Sequence, residues 1–159
     1  MAKVSDLSLG ERIWYHRYRF RQVDPLPWSP PETPLGEARV AVVTTAGVHL
    51  PDDEPFEKVK GGDFSYRIIP GDTDPSTLVN THPSDAWDRS GVEEEMNTVV
   101  PLDHLRKLAD EGEIGDVAPR HVSFQGSITA PGRLTKKTAP EVAEILADDG
   151  VHVVVLTPV

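Results

Sequence analysis

The sequence predicts an α/β fold: a three-layer αβα domain with a mostly parallel, Rossmann-like or flavodoxin-like sheet and an N-terminal helical arm. Two β-branched runs, Ala38–Thr45 and Val151–Thr157, have the apolar character of strands covered on both faces. A helix predicted over residues 138–149 precedes the second run, which is the order of a parallel crossover unit. We expect residues 1–37 to form a helix and a proline-rich connector, and residues 38–159 to form the α/β domain.

Composition and charge exclude several classes of function. The chain has no cysteine, so it contains no disulfide, zinc–thiolate site, iron–sulfur ligand or cysteine nucleophile. Its net charge of −10 disfavours nucleic acid as a partner, because affinity for phosphates comes from clustered Lys and Arg. The apolar runs are shorter than the ~20 residues of a membrane span, and the first residues lack a signal peptide's apolar region. We therefore expect a cytoplasmic protein without a membrane or nucleic-acid partner.

The first 37 residues combine a helical pattern with a proline-rich segment. Residues 5–22 carry apolar positions such as Leu7 and Ile13 together with four arginines, and they are predicted to form a helix. We interpret these arginines as the solvated face of the helix. An anion-binding site and a partner-binding arm are the alternatives. Residues 23–37 hold five prolines, which fix φ and remove backbone donors, so this segment is predicted to be an extended connector.

The strand at 38–45 ends in a turn of small residues, Thr44 to Gly47. In an α/β sheet, ligands usually bind at the carboxyl ends of the strands. The turn matches neither the phosphate-binding GxxxxGK[ST] loop nor the GxGxxG dinucleotide fingerprint. It is therefore interpreted as a tight turn, with an anion cradle as the less favoured alternative.

A second strand is predicted over residues 64–69, and a long irregular stretch follows it. This stretch contains His82, Asp85 and Asp88 at three-residue spacing, and imidazole with carboxylates can bind a divalent cation. A polar substrate or partner site, and simple loop hydrogen bonding with Asp85 as a helix cap, are the alternatives.

Two helices and a further strand complete the predicted domain. Residues 101–112 form a helix with a stripe of leucines that includes Leu108, and Gly112 ends it. Residues 120–124 form a strand that places His121 and Ser123 on one side. Alone, such a histidine is more often structural than a catalytic base. The helix at 138–149 is predicted to begin with a capping box between Thr138 and Glu141.

The chain stops at the carboxyl end of the predicted strand 151–157, at the sheet edge that carries ligands and catalytic residues in doubly wound folds. We therefore expect the domain to be truncated at its C-terminus. An open strand edge left there would favour dimerisation, so a homo-oligomer is expected.

Several segments together resemble the selenoprotein B family, the substrate-processing subunits of glycine, sarcosine, betaine and D-proline reductases. The block EGEIGDVAPRHVSFQG is the most specific, and VTTAGVHL is second. The resemblance covers roughly residues 25–159. The segments that carry it are Arg39–Leu50, Gly62–Pro70, Asn97–Leu105, Leu105–Gly126 and the terminal VVVLTPV.

The resemblance implies reductive cleavage of a glycine-, betaine-, sarcosine- or D-proline-like substrate. Family members carry a selenocysteine or cysteine nucleophile just after the strand that matches Val151–Val159, so in this sequence the nucleophile is missing after Val159. A UGA codon read as a stop is our hypothesis for this absence, and the chain alone is expected to be inactive. The resemblance further implies a pyruvoyl group on a partner subunit, a redox donor protein, and no cofactor in this chain.

Site residues follow from the matching segments. Thr44, Thr45, Gly47 and His49 belong to the strand-end segment, and Arg120, His121 and Ser123 belong to APRHVSF. His121 is the candidate acid/base or hydrogen-bond partner of the chalcogen, and the other six are candidate substrate-binding residues.

Two other functions remain open from the sequence. One is a non-catalytic oligomeric interaction module assembled through the N-terminal arm and the connector. The other, less favoured, is a metal-dependent enzyme that uses His82, Asp85 and Asp88. A binding assay with divalent metal ions tests the hypothesis of a metal-dependent enzyme.

Overall fold

The computed structural model describes residues 5, 7–18, 24–26, 29–84 and 87–159, without the Trp14 side chain. These residues belong to two compact units, Met1–Pro30 and Pro31–Val159. The division predicted between residues 37 and 38 stays a prediction.

The first unit contains one described helix, α1, at Leu9–Arg17. It begins with a capping box, because the Ser8 amide donates to Glu11 Oε2 at 2.8 Å and the Glu11 amide donates to Ser8 Oγ at 3.4 Å. The described helix is therefore shorter at its start than the predicted range 5–22. Residues 19–22 of that range lie outside the described residues.

The second unit alternates short strands and helices. The strands are β1 Arg39–Thr44, β2 Val48–His49, β3 Tyr66–Pro70, β4 Val79–Asn80, β5 Asp116–Val117, β6 Arg120–Phe124 and β7 Val153–Thr157. The helices are α2 Ser90–Glu94, α3 Leu102–Asp110 and α4 Ala139–Asp148. Short 3-10 turns occur at Leu35–Glu37, Pro75–Thr77 and Met96–Thr98, and a π-helical turn at Leu134–Thr138 leads into α4.

Strand β1 lies at the centre of the main sheet. It pairs in parallel with β7 along its whole length, from Val40 opposite Val153 to Thr44 opposite Thr157. Strands β5 and β6 pair in parallel with the beginning and the end of β1, which places both on its other edge. Strand β3 is antiparallel to β6, and β2 pairs with β4 in a separate antiparallel ribbon. The α/β character and the mixed sheet are established, whereas the three-layer Rossmann-like arrangement stays a prediction.

The core lies on both faces of β1, as expected for a continuously apolar strand. Val40 and Val42 pack in one buried cluster with Leu102 of α3. Ala41, on the opposite face, packs in a second cluster with Val142 of α4. These contacts fix β1 between the helices and hold its carboxyl end in place.

Three local predictions need correction. The capping box of Thr138 is wrong, because the backbone is already helical there and its side chain makes no cap hydrogen bond. Leu108 is 37% exposed and is not part of the buried stripe of α3. Strand β3 ends at Pro70, one residue later than predicted, because its antiparallel pairing with β6 continues to Arg120.

Strand β7 forms the edge of the main sheet within the described part of the chain. Its side chains alternate in burial, and Leu156 is 69% exposed. None of the described helices is long and apolar enough to cross a bilayer.

Candidate functional site

The ends of β1 and β7 meet at one edge of the main sheet. The Thr45 amide donates to the Thr157 carbonyl at 3.2 Å. The Thr45 hydroxyl accepts from the Val159 amide at 3.0 Å and faces the Val159 carbonyl at 3.5 Å. The turn that follows β1 therefore lies beside residue 159, at the carboxyl edge where α/β sheets place their ligands.

Two of the candidate hydroxyls hold this turn together. The buried Thr44 hydroxyl accepts from the Ala46 amide at 3.2 Å and donates to the Thr157 carbonyl at 3.3 Å. The Ser123 hydroxyl, also buried, accepts from the Val48 amide at 3.0 Å. Both oxygens therefore have backbone partners, and their contacts position the turn.

Gly47 brings the turn into contact with the loop after β4. Its φ is +63°, its amide donates to the Phe124 carbonyl at 2.8 Å, and its carbonyl accepts from the Thr81 amide at 3.0 Å. A Cβ on Gly47 would lie 3.1 Å from the Cα of His82, so a side chain has no room here. The glycine thus lets His82 pack against the end of β1.

His82 is 2% exposed and is held on three sides. Its amide donates to Asn80 Oδ1 at 3.2 Å, and its Nδ1 accepts from the Ser84 amide at 3.2 Å. Its ring lies edge-on to Trp87, with centroids 5.0 Å apart. Because Nδ1 accepts a hydrogen bond, the proton of the neutral ring is on Nε2. Among the described residues, Nε2 has no hydrogen-bond partner.

The electrostatic surroundings keep His82 neutral. Burial lowers the pKa of the imidazole, and the Arg89 guanidinium lowers it further. A neutral, buried Nε2–H without an acceptor costs free energy unless a ligand or a moving group provides one. His82 is therefore the described side chain at this edge that is best suited to donate a hydrogen bond.

Gly126 faces His82 from the end of β6. A Cβ on Gly126 would lie 3.0 Å from His82 Nε2 and 2.7 Å from the Thr45 carbonyl oxygen, and the φ of Gly126 is +68°. The ring of His82 therefore packs against bare backbone, between the ends of β6 and β1.

A cavity of about 210 Å³ adjoins this edge. Pro83 and Ser84, which follow His82, line it together with Gln125 and Ser127, which flank Gly126. It is smaller than the ~300–1,000 Å³ of drug-sized pockets.

Gln125 fixes one wall of this cavity. Its Oε1 accepts from the Asp63 amide at 2.8 Å, and its Nε2 donates to the Glu57 carbonyl at 2.9 Å. This buried side chain therefore clamps both ends of the loop 57–63, whose residues also line the cavity.

His121 lies away from the edge, inside the sheet. Its Nδ1 accepts a hydrogen bond from the Val42 amide at 3.0 Å. Val42 lies between the part of β1 that pairs with β5 and the part that pairs with β6. The imidazole therefore replaces a backbone acceptor at this point of the sheet. Its side chain is completely buried. Burial, helped by Arg106 and opposed by Asp149, lowers its pKa to about 4. This geometry favours a structural role, and the catalytic assignment of His121 stays a prediction.

Arg120 and His49 are not brought to the edge either. Arg120 begins β6, at the end opposite Phe124, and its guanidinium binds both Asp149 carboxylate oxygens at 2.7 and 2.8 Å. His49 donates from Nδ1 to the Leu50 carbonyl at 2.7 Å and packs edge-on to Phe56. Their substrate-binding assignments stay predictions.

The predicted metal ligands do not form a described cluster. Asp85 lies outside the described residues. Asp88 accepts from the Ser90 amide at 3.0 Å at the start of α2, and His82 Nδ1 is used by Ser84. The described part of the chain contains no group of three or more side chains arranged to hold a metal ion.

Sequence reasoning missed three residues that build this edge: Asn80, Gln125 and Gly126. Asn80 donates to the Ala46 carbonyl at 2.8 Å while it accepts from the His82 amide, so it joins the two loops. A glycine directly after a buried strand signals a close approach of another group, and Gly126 carried that signal. Nothing local in the sequence marks Asn80.

Comparisons with known proteins give the family. Residues 8–159 match the family described as glycine/sarcosine/betaine reductase selenoprotein B (GRDB). The chain is 37% identical over 155 residues to D-proline reductase subunit gamma of Acetoanaerobium sticklandii, covering 97% of this chain and 62% of that relative. No solved structure gives a significant match.

Two relatives from Peptoclostridium acidaminophilum are also similar. The sarcosine reductase complex component B subunit beta is 34% identical over 136 residues, which cover 84% of this chain and 31% of the relative. The glycine reductase complex component B subunit gamma is 30% identical over 132 residues, which cover 77% and 28%. The chain thus spans less than two thirds of the length of these curated relatives. The match over residues 8–159 establishes that this chain belongs to the glycine/sarcosine/betaine reductase selenoprotein B family.

Proposed function

We propose that this chain is a component of a reductase complex that reductively cleaves a small amine or amino acid such as D-proline, glycine, sarcosine or betaine. Family membership and the names of the three relatives support the reaction class. The observation that carries the proposal is the buried Nε2–H of His82, a donor without an acceptor among the described residues, at the same edge as Thr45.

The substrate binds in the cavity of about 210 Å³ beside His82. Its size suits a free amino acid, and the Ser127 side chain contributes a hydroxyl group to its wall. His82 precedes two of the lining residues and is not itself part of the lining, so in this proposal its buried Nε2–H reaches the substrate carboxylate after the backbone at Gly126 moves. The lowered pKa of His82 favours the neutral imidazole, and the hydrogen bond from the Ser84 amide to Nδ1 places the proton of that neutral ring on Nε2.

The nucleophile comes from outside the 159 residues, which contain no cysteine. A thiolate or selenolate would supply nucleophilic attack and electron transfer. We propose that it joins the site beyond Val159 or from a partner subunit, because the Thr45 hydroxyl holds the Val159 backbone at this edge. An anionic chalcogen accepts hydrogen bonds, and the Thr45 hydroxyl, whose contact with the Val159 carbonyl is a long 3.5 Å, can donate one.

Assembly with other subunits completes the proposal. We expect a pyruvoyl-bearing subunit and a redox donor protein as partners, and a homo-oligomer of this chain. The outer edge of β7, with Leu156 69% exposed, supports an added partner there. Packing of α3 and α4 against opposite faces of β1 supports the three-layer arrangement.

Reconstitution tests the proposed function. The chain is purified together with the remaining subunits of its reductase complex and incubated with a dithiol and each of the four candidate substrates. Dithiol-dependent cleavage of at least one substrate, followed by mass spectrometry, is expected. A complex that lacks this chain is the control. An intact complex that cleaves none of the four substrates contradicts the proposal.

A further inference from the structure

The loop 57–63 also lines a second, larger cavity of about 1,390 Å³. One wall is formed by residues 54–67 and the other by residues 130–137. The walls are joined where the Ala130 amide donates to the Gly61 carbonyl at 3.0 Å. We call this cavity the basic groove, for the side chains described next.

Two of the charged side chains that line the basic groove, Arg67 and Asp63, interact with other residues of the same wall. The Arg67 guanidinium lies 4.5 Å from the centroid of the Phe56 ring and donates to the Glu54 carbonyl at 2.8 Å and the Ser65 hydroxyl at 2.9 Å. The Asp63 carboxylate accepts from the Ser65 amide and hydroxyl and from the Glu57 amide. Arg67 and Asp63 therefore hold the wall and are not available to a ligand.

Four cations remain uncommitted: Lys60, Arg133, Lys136 and Lys137. All four are exposed, and none has a hydrogen bond or an ion pair within the described residues. The one ring contact among them places the Arg133 guanidinium 5.0 Å from the centroid of Phe64. Besides Asp63, the acidic residues that line the groove are Glu54 and Glu57. Basic side chains therefore outnumber acidic ones in the groove, although the net charge of the whole chain is −10.

The helical wall gains no stability from its charges. Arg133, Lys136 and Lys137 lie in the turns that lead into α4, three and four residues apart, where like charges repel. They also lie near the start of the helix, where the helix dipole disfavours positive charge. An anionic ligand in the groove would offset both effects.

The size of the groove selects the class of ligand. Its volume exceeds the ~300–1,000 Å³ of small-molecule pockets and leaves room for an extended peptide. A long nucleic acid is disfavoured, because the chain's net charge of −10 repels it outside the groove. The exposed Val59 and the half-buried Phe64 suit apolar side chains that alternate with carboxylates.

We propose that the basic groove binds an acidic, partly apolar polypeptide segment of a partner protein. Carboxylates of the segment pair with Lys60 on one wall and with Arg133, Lys136 and Lys137 on the other. Apolar side chains of the segment pack against Phe64. This groove shares the loop 57–63 with the cavity beside His82, and the proposal does not depend on the reductase function.

Fluorescence anisotropy of the 159-residue chain with a labelled peptide of alternating Glu and Leu tests this inference. Saturable binding that weakens as salt is raised is expected. A peptide with Gln in place of Glu should bind at least about tenfold more weakly. No binding of the Glu peptide, or equal binding of the two peptides, overturns the proposal. Tripolyphosphate that fully displaces the peptide at equal concentration also overturns it, since it identifies a phosphate site.

Charge reversals locate the binding. The double variant Lys136→Glu/Lys137→Glu should bind the Glu peptide at least about tenfold more weakly, and Lys60→Glu on the other wall about threefold. Lys107→Glu is the matched control for Lys60→Glu, because each of these single reversals changes the net charge equally and Lys107 lies in the exposed Lys107–Glu111 pair of α3, outside the groove. Unchanged binding by Lys60→Glu and the double variant, or an equal loss with Lys107→Glu, contradicts the proposal. Circular dichroism checks that each variant is folded, and Lys60→Glu gives a reading independent of the helix.

Discussion

The Nε2 edge of His82 packs against the bare backbone of Gly126, since a Cβ there would lie only 3.0 Å from Nε2. This contact joins the loop after β4 to the end of β6, and the Thr45 carbonyl lies 2.7 Å from the same Cβ position. The absence of a side chain at position 126 is therefore what lets a buried histidine reach the carboxyl edge of the sheet.

Gly126→Ala should lower the free energy of unfolding by about 2–3 kcal/mol. The added methyl group would meet the Thr45 carbonyl at 2.7 Å, and φ of +68° is strained for alanine. Urea denaturation measures the change. Gly132→Ala is the control, because a Cβ there has nothing within 4 Å, and its effect should stay within about 0.5 kcal/mol. Equal stability of the two variants would contradict the close packing at His82.

The free energy of unfolding should decrease as the pH falls from about 6.5 to 4, because His121 resists protonation in the folded state. Its pKa is about 4 in the folded state and near 6.5 when unfolded, so in this range the unfolded state binds the additional proton. The contribution is about 3 kcal/mol, fully present above pH 6.5 and lost towards pH 4.

The variant His121→Asn isolates this contribution. Its side-chain carbonyl can still accept from the Val42 amide but cannot be protonated. Denaturation at several pH values should show a shallower loss of stability than in the parent protein, with a remainder from His82, whose pKa is also lowered. An unchanged pH slope would show that His121 does not titrate with the expected low pKa.

Gln125→Ala should loosen the loop 57–63 without unfolding the sheet. The substitution removes the acceptor of the Asp63 amide and the donor to the Glu57 carbonyl. Hydrogen exchange of the Asp63 amide should become about tenfold faster, equivalent to about 1.4 kcal/mol. Thr129→Ala, at an exposed position that lines the same cavity, is the control. Equal exchange in both variants would mean that Gln125 does not hold the loop.

The Arg120–Asp149 pair should couple more strongly than an exposed pair. Both carboxylate oxygens of Asp149 are bound, and its side chain is 10% exposed, although Arg120 is 39% exposed. A double-mutant cycle should give about 1 kcal/mol, against about 0–0.5 kcal/mol for the exposed Lys107–Glu111 pair. Coupling near zero at Arg120 would remove the support for a structural role.

Much of the sheet could be predicted because its signals are local. The β-branched runs mark β1 and β7 as strands, and Gly112 and Gly150, with φ of +74° and +67°, follow α3 and α4 as expected. The expectation that both strands are covered on both faces holds for β1 and is wrong for β7, an edge strand in which every second side chain is exposed. The pairing of the strands depends on contacts far apart in sequence, so the sequence did not show that β5 and β6 share one edge of β1.

The candidate site could be predicted only in part. The turn at Thr45 follows a recognisable strand, and position 159 lies beside it as the parallel order implies. The different positions of His121 and His82 could not be predicted, because an imidazole that replaces a backbone acceptor inside a sheet and one that packs beside the carboxyl edge have the same local sequence signal. Only the register of β1 with β6 distinguishes them.

The most direct measurement is kcat/KM of the reconstituted reductase complex with substitutions at opposite ends of the sheet. His82→Phe keeps a ring but removes the Nε2–H donor, and it should lower kcat/KM about 100-fold. His82→Gln, whose amide can donate from a similar position, should restore part of the loss. Arg120→Gln should stay within about threefold of the parent after correction for the folded fraction. Full activity of a folded His82→Phe complex, or an equal loss with Arg120→Gln, would contradict a substrate site at the carboxyl edge.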